Sequence, residues 1–231
     1  MDKWAKKQKE FYDHDFATIA PPVVEENIRD FHFQKIIRIL EQNEISLGAD
    51  AIALELGCGR GQFMKKMQKH FSRCKVRGYD ISEKNIANCK NEGLDAQVAD
   101  AETMSISGKF DLIYGTSILH HLNDLPNFFN KISKNLKKGG ILLFGAEPVF
   151  YEFLYIILHK IRGCWEIEKG MMNISETCMK EYLSQEFEEI KIYRHGNAFA
   201  YSSKKLGNLW NALGLSKVPS INDIYIFAKK K

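Results

Sequence analysis

The chain has 231 residues, 45% of them hydrophobic and 12% aromatic. That supports one sizeable core and excludes disorder over most of the length. Thirty-three Lys and Arg against 29 Asp and Glu leave a net charge of +4, too small an excess to announce a nucleic-acid binder.

Five cysteines (Cys58, Cys74, Cys89, Cys164, Cys178) show no paired short spacing, so neither a disulfide framework nor a metal site is expected. The N-terminus carries Lys3, Lys6, Lys7 and Lys9 around Trp4 and has no apolar leader. A cytoplasmic, reducing location is expected.

In chain order, residues 1–48 read as a helical cap, with Ile36, Ile37, Ile39 and Leu40 on its apolar face. From 49 to 146 short apolar runs alternate with helical stretches. The strands are expected at Ala51–Leu56, Lys75–Asp80, Asp95–Ala99, Phe110–Tyr114 and Gly140–Ala146. The helices between them are expected at Gln62–Phe71, Lys84–Lys90 and Pro126–Leu136. Such alternation implies right-handed crossovers and a parallel sheet covered on both faces. Residues 147–188 form a long connection read as a lid or substrate insert. Residues 189–231 hold two late strands, at Glu189–Tyr193 and Asp223–Ala228. The fold class is α/β, doubly wound, in a single domain.

Leu54-Glu-Leu-Gly-Cys-Gly-Arg-Gly-Gln-Phe63 follows an apolar strand and opens a helix. Gly57, Gly59 and Gly61 allow a sharp turn and close approach of a ligand to the backbone. The helix N-terminus behind them favours a carboxylate or phosphate. A dinucleotide fingerprint would put its last glycine at position 62, which is Gln62, and no Gly-Lys-Ser/Thr follows for a P-loop. Glu55 would repel a pyrophosphate and suits a ligand bearing an ammonium group.

This stretch resembles motif I of the class I S-adenosylmethionine-dependent methyltransferases, in their small-molecule, type 11/12-like branch. Gly78-Tyr-Asp-Ile-Ser82, Val98-Ala-Asp-Ala-Glu102, Phe110–Leu122 and Leu136–Phe144 resemble the family's later motifs, in order. The resemblance covers 51–146 and implies a Rossmann-like sheet of seven strands, the last antiparallel. It implies S-adenosylmethionine as methyl donor, S-adenosylhomocysteine as product, and no metal. Asp80 would accept the ribose hydroxyls, Ile81 would pack on the adenine, and Asp100 with the Ala101 N–H would match the adenine edge. Glu55, Gly57, Cys58, Gly59, Gly61, Gly115 and Thr116 would line the rest of the cofactor site, and Tyr12 would close over the methionine.

His120 and His121 follow the fourth strand. The position matching His120 faces the acceptor in related enzymes, and an imidazole titrating near neutrality suits a general base. Glu147, ending the fifth strand, would orient that imidazole or bind the acceptor. His121 is the lesser candidate, because one of two adjacent imidazoles commonly satisfies a buried carbonyl or caps a helix. The expected partner is a small-molecule acceptor whose methylated atom is O, N or C; the oligomeric state is left open. Val149–Ile161 reads as a lid helix, with a membrane-facing surface for a lipid-like or isoprenoid acceptor as the disfavoured alternative. A non-enzymatic cofactor-binding subunit is the rival from another class.

Overall fold

The computed structural model describes residues 3–14, 22–147, 174–195 and 223–231, with a few positions between 205 and 214. Two helices come first, α1 (Lys3–His14) and α2 (Pro22–Gln42). Then β1 (Ile52–Leu56), α3 (Gln62–His70), β2 (Lys75–Asp80), α4 (Glu83–Asn91) and β3 (Asp95–Val98) alternate. β4 (Phe110–Thr116), a single 3-10 turn (Leu119–His121), α5 (Leu125–Ser133) and β5 (Leu136–Glu147) follow. The late elements are α6 (Glu176–Ser184), β6 (Phe187–His195) and β7 (Asp223–Lys230).

The seven strands form one sheet in the order β3-β2-β1-β4-β5-β7-β6. All pair in parallel except β7, which lies antiparallel between β5 and β6. Strand order reverses between β1 and β4, and in open α/β sheets ligands bind at the carboxyl ends beside such a switch point. The doubly wound seven-stranded sheet with its last strand antiparallel is therefore as expected. Most of the lid insert lies outside the described residues. No described helix is long and apolar enough to cross a membrane.

Hydrophobic layers cover both faces of the sheet. α2, α3 and α4 cover one face through Ile36, Ile39, Leu40, Met64, Met67 and Cys89. α5 and α6 cover the other through Phe128, Phe129, Ile132, Met179 and Leu183. Local chemistry sets the helix starts. Ser82, Asp124 and Ser175 each accept a backbone N–H in the first turn of α4, α5 and α6, and each cap stabilises its helix by about 1 kcal/mol. α3 differs: it starts at Gly61, in the left-handed region, with no side-chain cap.

One boundary departs from expectation. Leu136 opens β5 instead of ending the preceding helix. It pairs with Phe110, and β5 then takes in three extra residues before Leu112 meets Ile141. Gly139, at φ 71°, makes the bend between these two pairings, a conformation that glycine adopts at little cost.

Candidate active site

The glycine turn sits at the end of β1, beside the switch point. Its three glycines all have positive φ, but for different reasons. A Cβ on Gly61 would fall 2.3 Å from Leu94 Cδ1, and one on Gly57 would fall 3.0 Å from Ile118 Cδ1. Those two glycines serve packing. At Gly59 nothing lies within 4 Å of where a Cβ would stand. Here the backbone faces open space, and a ligand can reach it.

Asp80 ties this turn to β2. Its carboxylate accepts N–H bonds from Gly59 at 2.8 Å and Ser82 at 2.9 Å, and a side-chain bond from Asn85 at 3.3 Å. Burial pushes its carboxyl above the usual range, and these donors partly oppose the shift. Glu55, opposite Tyr114 across the β1–β4 pair, accepts the Tyr114 hydroxyl at 2.9 Å. Its burial pushes the carboxyl well above the usual range. The open backbone at Gly59, the uncapped N-terminus of α3 and a strand-end carboxylate at Asp80 together suit a ligand with a carboxylate at one end and vicinal hydroxyls further along.

The second half of the site lies at the ends of β4 and β5. Ser117 and Ala146 both adopt positive φ, 52° and 58°, a strain of roughly 1–2 kcal/mol for each non-glycine residue. Ser117 N–H donates to the Gly145 carbonyl and its hydroxyl to the Ala146 carbonyl, which fixes the two bends against each other. The bends bring fully buried Glu147 under the 3-10 turn. One carboxylate oxygen accepts N–H bonds from Ile118 and Leu119, each at 2.9 Å. The other accepts His120 N–H at 3.3 Å and lies 2.7 Å from His120 Nδ1. A carboxylate at the N-terminus of a helical turn is favoured by the backbone dipoles, and here it also fixes an imidazole.

Residues 54–144 match the family model described as a methyltransferase domain. This core is similar to that family. A ubiquinone biosynthesis O-methyltransferase from Pelagibacter ubique is 30% identical over 157 residues, 62% of this chain and 61% of that relative. The chain spans between 38% and 61% of the length of the first curated relatives it matches. Among solved structures, Haemonchus contortus phosphoethanolamine N-methyltransferase 2, in complex with S-adenosyl-L-methionine, aligns with TM-score 0.70 at 16% identity. That alignment covers 96% of this chain and 59% of that one. Geranyl diphosphate C-methyltransferase from Streptomyces coelicolor aligns with TM-score 0.68 at 13% identity, over 100% and 99% of the two chains.

Helix α1 bridges the two halves of the site. Trp4 Nε1 and Gln8 Nε2 both donate to the His121 carbonyl, each at 2.8 Å. Tyr12, one turn further on, has its hydroxyl 2.8 Å from His121 Nε2. At the other bank Asp13 accepts from the Ser82 hydroxyl and the Lys84 N–H, and Lys9 pairs with Asp13 and Glu83. His121 thus meets α1, while His120 meets Glu147; the two rings lie 4.0 Å apart.

Of the remaining expected residues, Asp100 closes its own turn, accepting Glu102 N–H and the Thr103 hydroxyl. Ile81, Ala101 and Thr116 are half-buried at the same end of the sheet, while Gly115 is buried. Cys58 lies buried within the glycine turn. Sequence reasoning missed Trp4, Gln8, Tyr114 and the role of Glu102. The spacing of Trp4, Gln8 and Tyr12 along one helix face was the available signal. Glu102 accepts the N–H groups of Asn123 and Asp124, at 2.6 and 2.9 Å, and so links the β3 loop to the segment after His121. Among the described residues no group of His, Cys, Asp and Glu could hold a metal ion.

Proposed function

We propose that the chain is an enzyme that transfers the methyl group of S-adenosylmethionine to an O, N or C atom of a small-molecule acceptor, releasing S-adenosylhomocysteine. One observation carries the reading. An open glycine turn backed by Asp80 stands at the same end of the sheet as an imidazole fixed by a buried carboxylate. The names of the relatives point the same way, as do neighbours bound to S-adenosylmethionine and S-adenosylhomocysteine.

Asp80 would exchange protein donors for the ribose hydroxyls. The Gly57–Gly61 turn would receive the methionyl end, and Asp100, the Ala101 N–H and Ile81 the adenine. When bound, the cofactor supplies a methyl group on a sulfonium, already an excellent leaving group. The protein's own task is therefore to align the acceptor and exclude water. For a hydroxyl or protonated amine a proton must also leave. With Nδ1 turned to Glu147, the atom of His120 that accepts it is Nε2. This dyad favours an enzyme over a cofactor-binding subunit, which has no use for a fixed base.

S-adenosylmethionine and S-adenosylhomocysteine should raise the melting temperature while NAD and ATP do not, because a native-state ligand stabilises by mass action. A turnover screen against a metabolite extract with labelled methyl donor, read by mass spectrometry, should then show label in a small molecule. Label only in protein or RNA, or none in any fraction, would refute the acceptor class.

A further inference from the structure

Two thiols that methyl transfer does not use lie beneath the glycine turn. Cys58 is in the turn and Cys89 on α4, and both are buried. Their sulfurs converge on one acceptor, the Gly59 carbonyl, at 3.8 Å from Cys58 and 3.3 Å from Cys89. Glycines keep the slot open: a Cβ on Gly78 would stand 2.8 Å from the Cys58 sulfur, and one on Gly61 3.0 Å from that of Cys89. Cys74 has another partner, the Lys75 carbonyl.

We propose that Cys58 and Cys89 are a redox-responsive pair, which a peroxide converts to a disulfide that deforms the glycine turn and prevents cofactor binding. That consequence rests on the methyltransferase reading; the oxidation itself does not. The pair is chemically asymmetric. The neighbouring Cys58 thiol holds the Cys89 thiol below its usual range, while Cys89 and burial push Cys58 up. Cys89 is therefore the thiolate that reacts first.

The Cys89 thiolate attacks one peroxide oxygen, the O–O bond breaks, hydroxide leaves, and Cys89 becomes a sulfenic acid. The Cys58 sulfur then attacks that of Cys89, the S–O bond breaks and water departs. Overall, two thiols and one peroxide give one disulfide and two waters. Gly59 is half-exposed and Arg60 exposed, so a small oxidant has a route from solvent.

Closing the sulfurs to about 2.05 Å abolishes both thiol bonds onto the Gly59 carbonyl. The N–H of Gly59 holds Asp80, so turn and carboxylate shift together. Disulfides of reducing compartments are usually transient and redox-sensing, which fits a bond that reverses.

The test uses the full chain, first reduced and then exposed to hydrogen peroxide. Non-reducing peptide mapping by mass spectrometry should find Cys58 and Cys89 cross-linked, with the loss of two hydrogens. Affinity for S-adenosylhomocysteine, followed by thermal shift, should fall about tenfold or more and return with dithiothreitol. Cys89→Ala should show the same affinity before and after peroxide; should it fail to fold, Cys89→Ser serves the same comparison. Oxidation confined to other cysteines, or a Cys58–Cys89 bond without loss of affinity, would overturn the proposal. A reduced protein that ignores S-adenosylhomocysteine would instead refute the methyltransferase reading, and the peptide map would still decide whether the pair oxidises.

Discussion

Asp80 and Glu147 are both buried carboxylates at the carboxyl end of a strand, and both accept backbone N–H groups from the loop that follows or faces them. Their partners separate their roles. Asp80 holds one N–H from the glycine turn, one from Ser82 and an amide, beside open space at Gly59. Glu147 is fully buried and holds three backbone N–H groups and an imidazole. A carboxylate with space beside it can trade donors with a ligand; one surrounded by its own loop can only position that loop. Under the proposed function Asp80 would belong to binding and Glu147 to catalysis, through His120.

The comparison can be broken by variants that act on one half alone. The largest effect is expected from His120→Ala, a loss of about 10²–10⁴ in kcat with little change in cofactor affinity if the acceptor must lose a proton. Single-turnover measurements would check it, and an equal loss in both quantities would join the two halves. Asp80→Ala should do the reverse. It should weaken S-adenosylhomocysteine by about 10²-fold, since two hydrogen bonds to a charged acceptor are worth roughly 1.5–3 kcal/mol each. Calorimetry would read this directly.

Glu147→Gln sharpens the contrast on a smaller scale. The amide oxygen can still receive the N–H groups of Ile118 and Leu119, but the NH₂ cannot accept from His120 Nδ1. A loss of about tenfold in kcat is expected with cofactor affinity intact. A smaller effect still is expected at Glu55, whose carboxyl burial raises well above its ordinary value of 4.5. A raised carboxyl stabilises the fold fully only below the ordinary value, and that contribution is lost as pH climbs through the folded one. Glu55→Gln should thus raise the neutral-pH melting temperature by a few degrees, about 1 kcal/mol. Thermal scans should show the gap closing towards pH 4.

Patterns that repeat along the chain were legible in the sequence. All seven strands lie where expected; central strands such as β1 and β4 are buried on both faces, which leaves few other compositions. Ser82 and Asp124 announce helix starts through their own side chains. Hidden features depend on residues far apart. Tyr12 meets His121 across 109 positions, and Glu102 meets Asn123 across 21. No local pattern encodes which partner a hydroxyl or carboxylate finds after folding. Glu147 was visible as a strand-end acid, but its capping of residues 118–120 depends on the two bends at Ser117 and Ala146. Neither position carries the glycine that would have signalled a bend. Val149–Ile161, read from the sequence as a lid helix, lies outside the described residues.

Helix α1 has one foot on the His121 carbonyl and the other on Ser82 and Lys84. Under the proposed function a beam resting on both banks would lie across the way in, so traffic would follow a sequence. The donor should board before α1 seats and the acceptor after it, and the spent donor should be last to leave. Initial-rate experiments should then give compulsory-order kinetics. S-adenosylhomocysteine should compete with S-adenosylmethionine at every acceptor concentration, while the methylated product should not.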